Sequence, residues 1–144
     1  MMAWAKRELE DLVNFCKGTP WNGKTLADNP LVRHRLAQLA IEIETGRALS
    51  YRIAWLQEKG EFLRSTYAAS AAKVYGTELG QRLINAAIEI LGPYAQMKKG
   101  SRWTRLNGTY ETGYQLCPGS NIAAGSSEIQ RNLIAWVGLG LPRS

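Results

Sequence analysis

Two long stretches with helical periodicity dominate the sequence and leave little room for a sheet. In residues 30–59, apolar and small residues recur in alternating steps of four and three, which places them on one side of a helix. A second such run extends from about Ser65 to Leu91. Gly60 ends the first run, and Gly92-Pro93 forbids continuation of the second. The sequence therefore predicts two long antiparallel helices joined by a short turn.

Shorter helices are predicted on both sides of this pair. The patterns indicate helices at about 3–17, 109–116 and 127–138, while several glycines and Pro118 interrupt any longer pattern between residues 94 and 124. Asn29 supplies a capping side chain directly before Pro30, which suits the first position of a helix. No alternating run is long enough for a sheet. We predict one all-α domain over residues 1–144, an up-and-down antiparallel bundle of four to five helices.

Composition narrows the class of protein further. The 144 residues carry 18 basic and 12 acidic side chains, but the surplus of +6 is mostly scattered, so a solvated surface is favoured over a nucleic-acid face. No apolar run is long enough for a membrane span. Cys16 and Cys117 lack metal-ligand spacing, which favours reduced thiols. We predict a cytoplasmic protein that binds neither membranes nor nucleic acid.

The segment from Gly125 to Ala135 has the pattern of a loop that turns into a helix. Ser127 and Gln130 have the spacing of a capping box. An apolar face follows at helical spacing: Ile129, Leu133, Trp136 and Val137. Periodicity alone predicts a capped amphipathic helix here.

The literal string is more specific than its periodicity. Gly-Ser-Ser-Glu-Ile-Gln-Arg-Asn, followed by Gly-Leu-Gly-Leu-Pro-Arg, resembles the carboxyl-terminal signature of the acyl-CoA dehydrogenase family of fatty acid metabolism. The resemblance covers most of the chain, but only the last domain of such an enzyme. It implies a helical bundle without the family's amino-terminal helical domain and middle β-domain. In the family, FAD lies between domains and between subunits.

The resemblance assigns candidate FAD contacts to two places. Ser126 stands where the family has a flavin-contacting threonine, and Glu128 stands where Gln or Glu is usual. At the end of the second long helix, residues 89–93 correspond to a Gln-x-x-Gly-Gly motif of the family, in which Gly92 is kept, Glu89 replaces the glutamine and Pro93 replaces the second glycine. A third family motif, Arg-x-Phe-Gly-Lys-x-Leu, corresponds here to residues 19–26, in which the arginine is missing. Ser126 as a simple cap and Glu89 as a solvated side chain are the alternative interpretations.

The resemblance also predicts that this chain lacks a catalytic base. Many members place the catalytic glutamate directly before the glycine of the terminal motif, where this chain has Ala124. A methyl group cannot take a proton. Other members carry the base on the first helix, about thirty residues before the position of Gly23, and Glu8 and Glu10 lie too close to that loop. No residue is therefore assigned a catalytic role, and no metal site is predicted.

Two functions remain open. The first is a carboxyl-terminal domain, or a truncated or split subunit, of an FAD-dependent oxidoreductase that dehydrogenates an acyl-CoA and passes electrons to an electron-transfer flavoprotein. It would be inactive alone and would need a homo-oligomer (dimer or tetramer) or a companion subunit. The second is a non-catalytic helical module, derived from that family, that self-associates. A nucleic-acid binder is a weaker third possibility, since no aromatic-basic motif supports it.

Overall fold

The two long stretches of helical periodicity form the two longest helices of the computed structural model, which describes residues 1–143. The elements in chain order are α1 (Met2–Gly18), β1 (Pro20–Trp21), β2 (Lys24–Thr25), a 3₁₀ turn (Leu26–Asp28), α2 (Pro30–Glu58), α3 (Phe62–Leu91), two further 3₁₀ turns (Gly92–Gln96 and Leu106–Gly108), α4 (Thr109–Ile122), α5 (Ser127–Leu133) and a π-helical turn (Ile134–Gly138). The predicted all-α bundle is confirmed. The two strands form only a two-residue antiparallel ladder within the loop after α1.

Helix α3 is the centre of the bundle. It packs against each of the other four α-helices. Its small side chains allow this close approach, as the sequence predicted. The core is apolar and is shared by all the long helices: Ala5, Leu12, Leu39, Ile43, Leu79, Leu83, Ile84, Ala86, Ala87, Leu91, Ala95 and Tyr110. Because α3 is surrounded, residues on several of its faces are buried, rather than those of one stripe.

Polar ties join helices that are distant in sequence. The Tyr110 hydroxyl on α4 donates to the carbonyl oxygen of Glu8 on α1, at 3.2 Å. The Tyr75 hydroxyl donates to the carbonyl oxygen of Glu42 (3.0 Å), and Arg82 Nε donates to the Glu42 carboxylate (2.7 Å). These contacts fix α1 and α2 against the two helices that later carry the candidate site.

The helix boundaries match the predictions at most ends. Asn29 Oδ1 accepts from the Leu31 N–H at 3.0 Å, which confirms the predicted cap. Helix α3 begins at Phe62, one turn before the predicted start. Helix α4 continues to Ile122, whereas the prediction ended it near Leu116 because of Pro118. Pro118 lacks an N–H but has a helix-compatible φ, so the chain continues through it.

Among the described residues, no helix is both long enough and apolar enough to cross a membrane. The residues described also contain no cluster of three or more side chains suited to holding a metal ion.

Candidate functional site

The connection between α4 and α5 makes a sharp reversal. We use the name 121–126 loop for the segment from the last two residues of α4 to the N-cap of α5. Ala124 has φ +55° and Gly125 has φ +90°, so two successive residues adopt left-handed backbone geometry. Such geometry is unusual for alanine and natural for glycine. The reversal places Ser126 at the N-cap of α5.

The cap of α5 differs from the prediction by one residue. Ser126 Oγ, rather than that of Ser127, accepts from a backbone N–H, that of Ile129 at 3.4 Å. The Gln130 amide donates to the Ala124 carbonyl oxygen at 3.0 Å. Ser127 lies inside the helix and is 93% buried, with 7% of its surface exposed. The left-handed geometry of Ala124 and Gly125 decides which serine caps the helix. The spacing of a capping box in the sequence gives no information about that backbone geometry.

Glu128 lies in the first turn of α5, two residues after the Ser126 cap. A hydrogen bond from the Ser126 hydroxyl is the main cause that lowers the pKa of the Glu128 carboxyl, and backbone hydrogen bonding and the charges of Arg131 and Lys73 act in the same direction. Both residues of the predicted FAD contact are therefore adjacent and polar.

Lys73 was missed by the sequence analysis. Its ammonium, on α3, donates to the carbonyl oxygens of Asn121 (2.9 Å) and Gly125 (2.7 Å). It is the only charged residue between Arg64 and Glu78. The sequence did contain a signal for it: Lys73 is a lone lysine within a run of small residues on a buried helix. A charge in such a place requires hydrogen-bond partners.

A polar cleft of about 430 Å³ lies beside the loop, between α3 and the α4–α5 connection. Its walls include Gln81, Asn85, Asn121, Ser127 and the ion pair of Arg131 with Glu78. Ser127 Oγ and Asn121 Oδ1 are buried and have no hydrogen-bond partner among residues 1–143. The cleft offers hydrogen bonds to a polar group. Arg131 and Arg82 in its walls are paired with Glu78 and Glu42, whereas Glu128 has no ion-pair partner among residues 1–143.

Glu89 and Gly92 lie far from the 121–126 loop. Glu89 is exposed, and Gly92 ends α3 with φ +59°. Sixteen residues of α3 separate Lys73, which holds the loop, from Glu89, and at 1.5 Å per residue this is about 24 Å. The structure therefore does not bring the two predicted groups of FAD contacts together within one chain.

The end of α3 instead meets the loop after α1. A cavity of about 500 Å³ is lined by residues of both segments, including Thr19, Trp21 and Leu91. Arg105 also lines it, with its guanidinium 4.8 Å from the centre of the Tyr94 ring. Two of the three motif segments thus converge, and Arg105 brings a guanidinium to the region where the expected arginine of residues 19–26 is missing. Arg105 was not predicted.

A model of the carboxyl-terminal domain of acyl-CoA dehydrogenases matches residues 1–139. The chain belongs to the acyl-CoA dehydrogenase family. This confirms the resemblance inferred from the terminal motif, and it extends that resemblance over nearly all of the described residues.

Individual acyl-CoA dehydrogenases agree with this assignment. The chain is 32% identical over 123 residues to acyl-CoA dehydrogenase FadE26 of Mycobacterium tuberculosis, which covers 85% of this chain and 31% of that protein. The ChsE4–ChsE5 complex from Mycobacterium tuberculosis superposes with a TM-score of 0.90 at 30% identity, over 100% of this chain and 36% of that chain. A steroid acyl-CoA dehydrogenase, Tcur3481–Tcur3483, superposes with a TM-score of 0.88 at 28% identity, over 99% and 35%. The chain spans about a third of the length of these relatives.

The acyl-CoA dehydrogenase family is FAD-dependent, and the residues present fit part of such a site. The 121–126 loop has the hydroxyl of Ser126 at the predicted position, and the cleft beside it has unpartnered polar atoms. The base position holds the methyl group of Ala124. The described residues therefore present polar groups at the predicted flavin-contact position, and the side chain of Ala124 has no group that can accept a proton.

Proposed function

We propose that this chain is the FAD-contacting carboxyl-terminal domain of an acyl-CoA dehydrogenase that works only together with further protein. The family match over residues 1–139 carries the proposal. When bound, FAD accepts a hydride from the β-carbon of an acyl-CoA thioester. In this chain, Ser126 and Glu128 are the proposed contacts at the 121–126 loop, and Gly92 and Glu89 are the proposed contacts at the end of α3.

The missing base decides what else the enzyme needs. A carboxylate must lie within hydrogen-bond reach of the α-proton, and Ala124 offers none. We propose that a companion subunit or a second copy of the chain, in a dimer or tetramer, completes the site, and that an electron-transfer flavoprotein takes the electrons. Two solved relatives named as pairs, ChsE4–ChsE5 and Tcur3481–Tcur3483, and a relative named as a subunit of the caffeyl-CoA reductase–Etf complex support this arrangement.

The flavin contact of Ser126 is tested by Ser126→Ala in a complex that contains the companion domains. Loss of one hydrogen bond of about 1 kcal/mol should raise the dissociation constant of FAD about 5-fold. Ser126→Thr keeps the hydroxyl and should retain FAD. Ser50→Ala is the matched control, because it removes a hydroxyl on α2 that donates to the Gly46 carbonyl. Equal FAD affinity in Ser126→Ala and Ser50→Ala refutes the contact.

The absence of a base is tested with the purified chain alone. We expect no dehydrogenation of any acyl-CoA, because Ala124 has no group that can take the α-proton of the thioester. The absorbance of the purified chain from about 300 to 500 nm reports bound flavin, and its mass in solution reports its oligomeric state. Measurable turnover by the chain alone contradicts the proposal. A colourless oligomer without activity is expected both for the second candidate and for a carboxyl-terminal fragment that needs its companion domains.

That second candidate is a non-catalytic module that self-associates. One observation favours it: large apolar side chains are exposed where α2 ends and α3 begins, namely Tyr51, Trp55, Phe62 and Leu63. Clusters of exposed apolar side chains mark interaction surfaces more often than free surface. This function needs no cofactor, so the flavin spectrum of a complex that contains the companion domains distinguishes it from the first.

A further inference from the structure

The ammonium of Lys73 occupies an unusual place. It extends from the middle of α3, the central helix, to the 121–126 loop, and both of its hydrogen bonds bridge about fifty residues of sequence, to Asn121 and Gly125. A lysine that only solubilised the surface would keep its charge in water, because desolvating an ammonium is costly. Here the partly buried ammonium donates to two backbone carbonyls instead.

The two carbonyls lie on opposite sides of the chain reversal. The Asn121 carbonyl is among the last four of α4, which have no partner within the helix. The Gly125 carbonyl belongs to the left-handed residue directly before the cap of α5. One nitrogen atom therefore satisfies the end of one helix and fixes the approach to the next.

Gln130 completes the arrangement from the other helix. Its amide donates to the Ala124 carbonyl oxygen, so the carbonyls of residues 121, 124 and 125 are all held by side chains. Ala124 is also the one alanine of the described chain with positive φ. A residue other than glycine keeps this backbone conformation only where the contacts around it stabilise it.

We propose that Lys73 is a positioning residue that fixes the 121–126 loop in the folded domain. By tying Asn121 to Gly125, it holds Ser126 at the cap of α5 and Ala124 in its left-handed conformation before any ligand arrives. The effect on FAD rests on the proposed function, whereas the effect on the loop does not. A preordered loop avoids the entropic cost of ordering when a ligand binds.

The loop is tested by hydrogen exchange of the chain itself, in peptides that cover residues 119–130. Lys73→Met keeps the length and apolar stem of the side chain and removes all donors. We expect exchange in these peptides to become at least about 10-fold faster, while peptides of α2 keep their rates. Lys73→Arg restores donors and should recover part of the protection. Lys98→Met, an exposed lysine outside the loop, is the matched control. Equal loop exchange in Lys73→Met and Lys98→Met overturns the proposal.

A measurement on the unaltered chain makes the test independent of the folding of Lys73→Met. Hydrogen-bonded ammonium protons exchange slowly with water, so the lysine ¹⁵Nζ spectrum should contain a protected signal that disappears in Lys73→Arg. Absence of a protected signal overturns the proposal.

The flavin is measured separately, in a complex with the companion domains. Lys73→Met should raise the dissociation constant of FAD about 10-fold and change the visible circular dichroism of bound flavin. If loop exchange rises while FAD affinity and flavin spectrum stay the same, Lys73 fixes the loop but the loop does not contact flavin. That outcome contradicts the proposed function and leaves the role of Lys73 in the loop standing.

Discussion

At the scale of single residues, Glu42 shows how α2 is fixed to α3 by charge. Its carboxylate accepts from Arg82 Nε at 2.7 Å, and its backbone carbonyl accepts from the Tyr75 hydroxyl. Burial alone would raise the pKa of Glu42, but hydrogen bonds from Gln38 and Arg82 and the charge of Arg82 outweigh it, so the pKa is lowered. The ionised form therefore stabilises the folded state.

Glu42→Gln should reduce the free energy of unfolding at pH 7 by about 1 kcal/mol. This is a modest figure for a charge-assisted bond, because Arg82 is 38% exposed and solvent screens the pair. A lowered pKa gives stability that is present above the unfolded pKa, near 4.5, and is lost as the pH falls through the folded pKa. Urea unfolding of both proteins should therefore differ at pH 7, and the difference should disappear as the pH falls from the unfolded pKa through the lower folded pKa of Glu42. A difference that stays constant over this fall in pH contradicts this charge effect.

Caps show what the sequence can predict at this scale. The cap at Asn29 was predictable because an Asn-Pro pair places the side chain and the first turn unambiguously. The cap at Ser126 was predicted only as an alternative to the Ser127 capping box, because two adjacent serines compete and the choice depends on the positive φ of Ala124. The apolar face predicted for α5 is not buried at every position, since Ile129 is 51% exposed. Its periodicity is amphipathic, but the described chain has nothing to cover that position.

At the scale of elements, the start of α4 depends on Gly108. This residue has φ +71°, and a Cβ there would lie 2.8 Å from the backbone nitrogen of Lys99 and 3.2 Å from the carbonyl oxygen of Met97. Backbone atoms cannot move aside as a side chain can. Gly108 therefore brings the 97–99 segment close to the cap of α4 in a way that no other residue allows.

Gly108→Ala should lower the free energy of unfolding by about 2–4 kcal/mol, from left-handed strain together with the clash. Gly60→Ala is a matched control: its φ is +73°, and nothing lies within 4 Å of an added Cβ. It should cost about 1 kcal/mol, from strain alone. The difference between the two midpoints of urea unfolding measures the close approach. Equal costs for both variants would mean that the 97–99 segment does not pack against the cap.

The helices themselves were predictable because strong periodicity and Gly or Pro punctuation agree along most of the chain. Two features were not. The prediction ended α4 before Pro118, yet Pro118 lies within the helix. The last turn, Ile134–Gly138, is π-helical, and a residue pattern with period 3.6 does not distinguish that geometry from α.

At the scale of the whole molecule, the candidate site could be predicted only in part. The terminal motif located Ser126 and Glu128, because a literal string carries family information that periodicity lacks. Lys73 was missed because its partners lie about fifty residues away, and Arg105 was missed because it lines a cavity with residues of the distant loop after α1. One sequence does not show which distant segments meet. The separation of Ser126 from Glu89 along α3 likewise became visible only in three dimensions.

The exposed apolar residues lead to the last prediction, which follows from the proposed assembly. Tyr51 and Trp55 lie one turn apart on α2, 66% and 53% exposed, and Phe62 at the start of α3 is 70% exposed. Water contact at such side chains is unfavourable, by about 25 cal/mol for each Å² that association could bury. We therefore expect the purified chain to be oligomeric, with this end of the α2–α3 pair in the interface.

Trp55→Glu combined with Phe62→Glu should weaken association at least about 10-fold, because each carboxylate would have to be desolvated in the interface. Sedimentation velocity should therefore show a smaller mass for this double variant. Both side chains are exposed in the described chain, so the fold should keep its helical circular dichroism. Tyr114→Glu, at a 60% exposed position on α4, is the matched control and should leave the mass unchanged. An equal loss of association in both variants would indicate that general surface hydrophobicity, and not this end of the bundle, drives assembly.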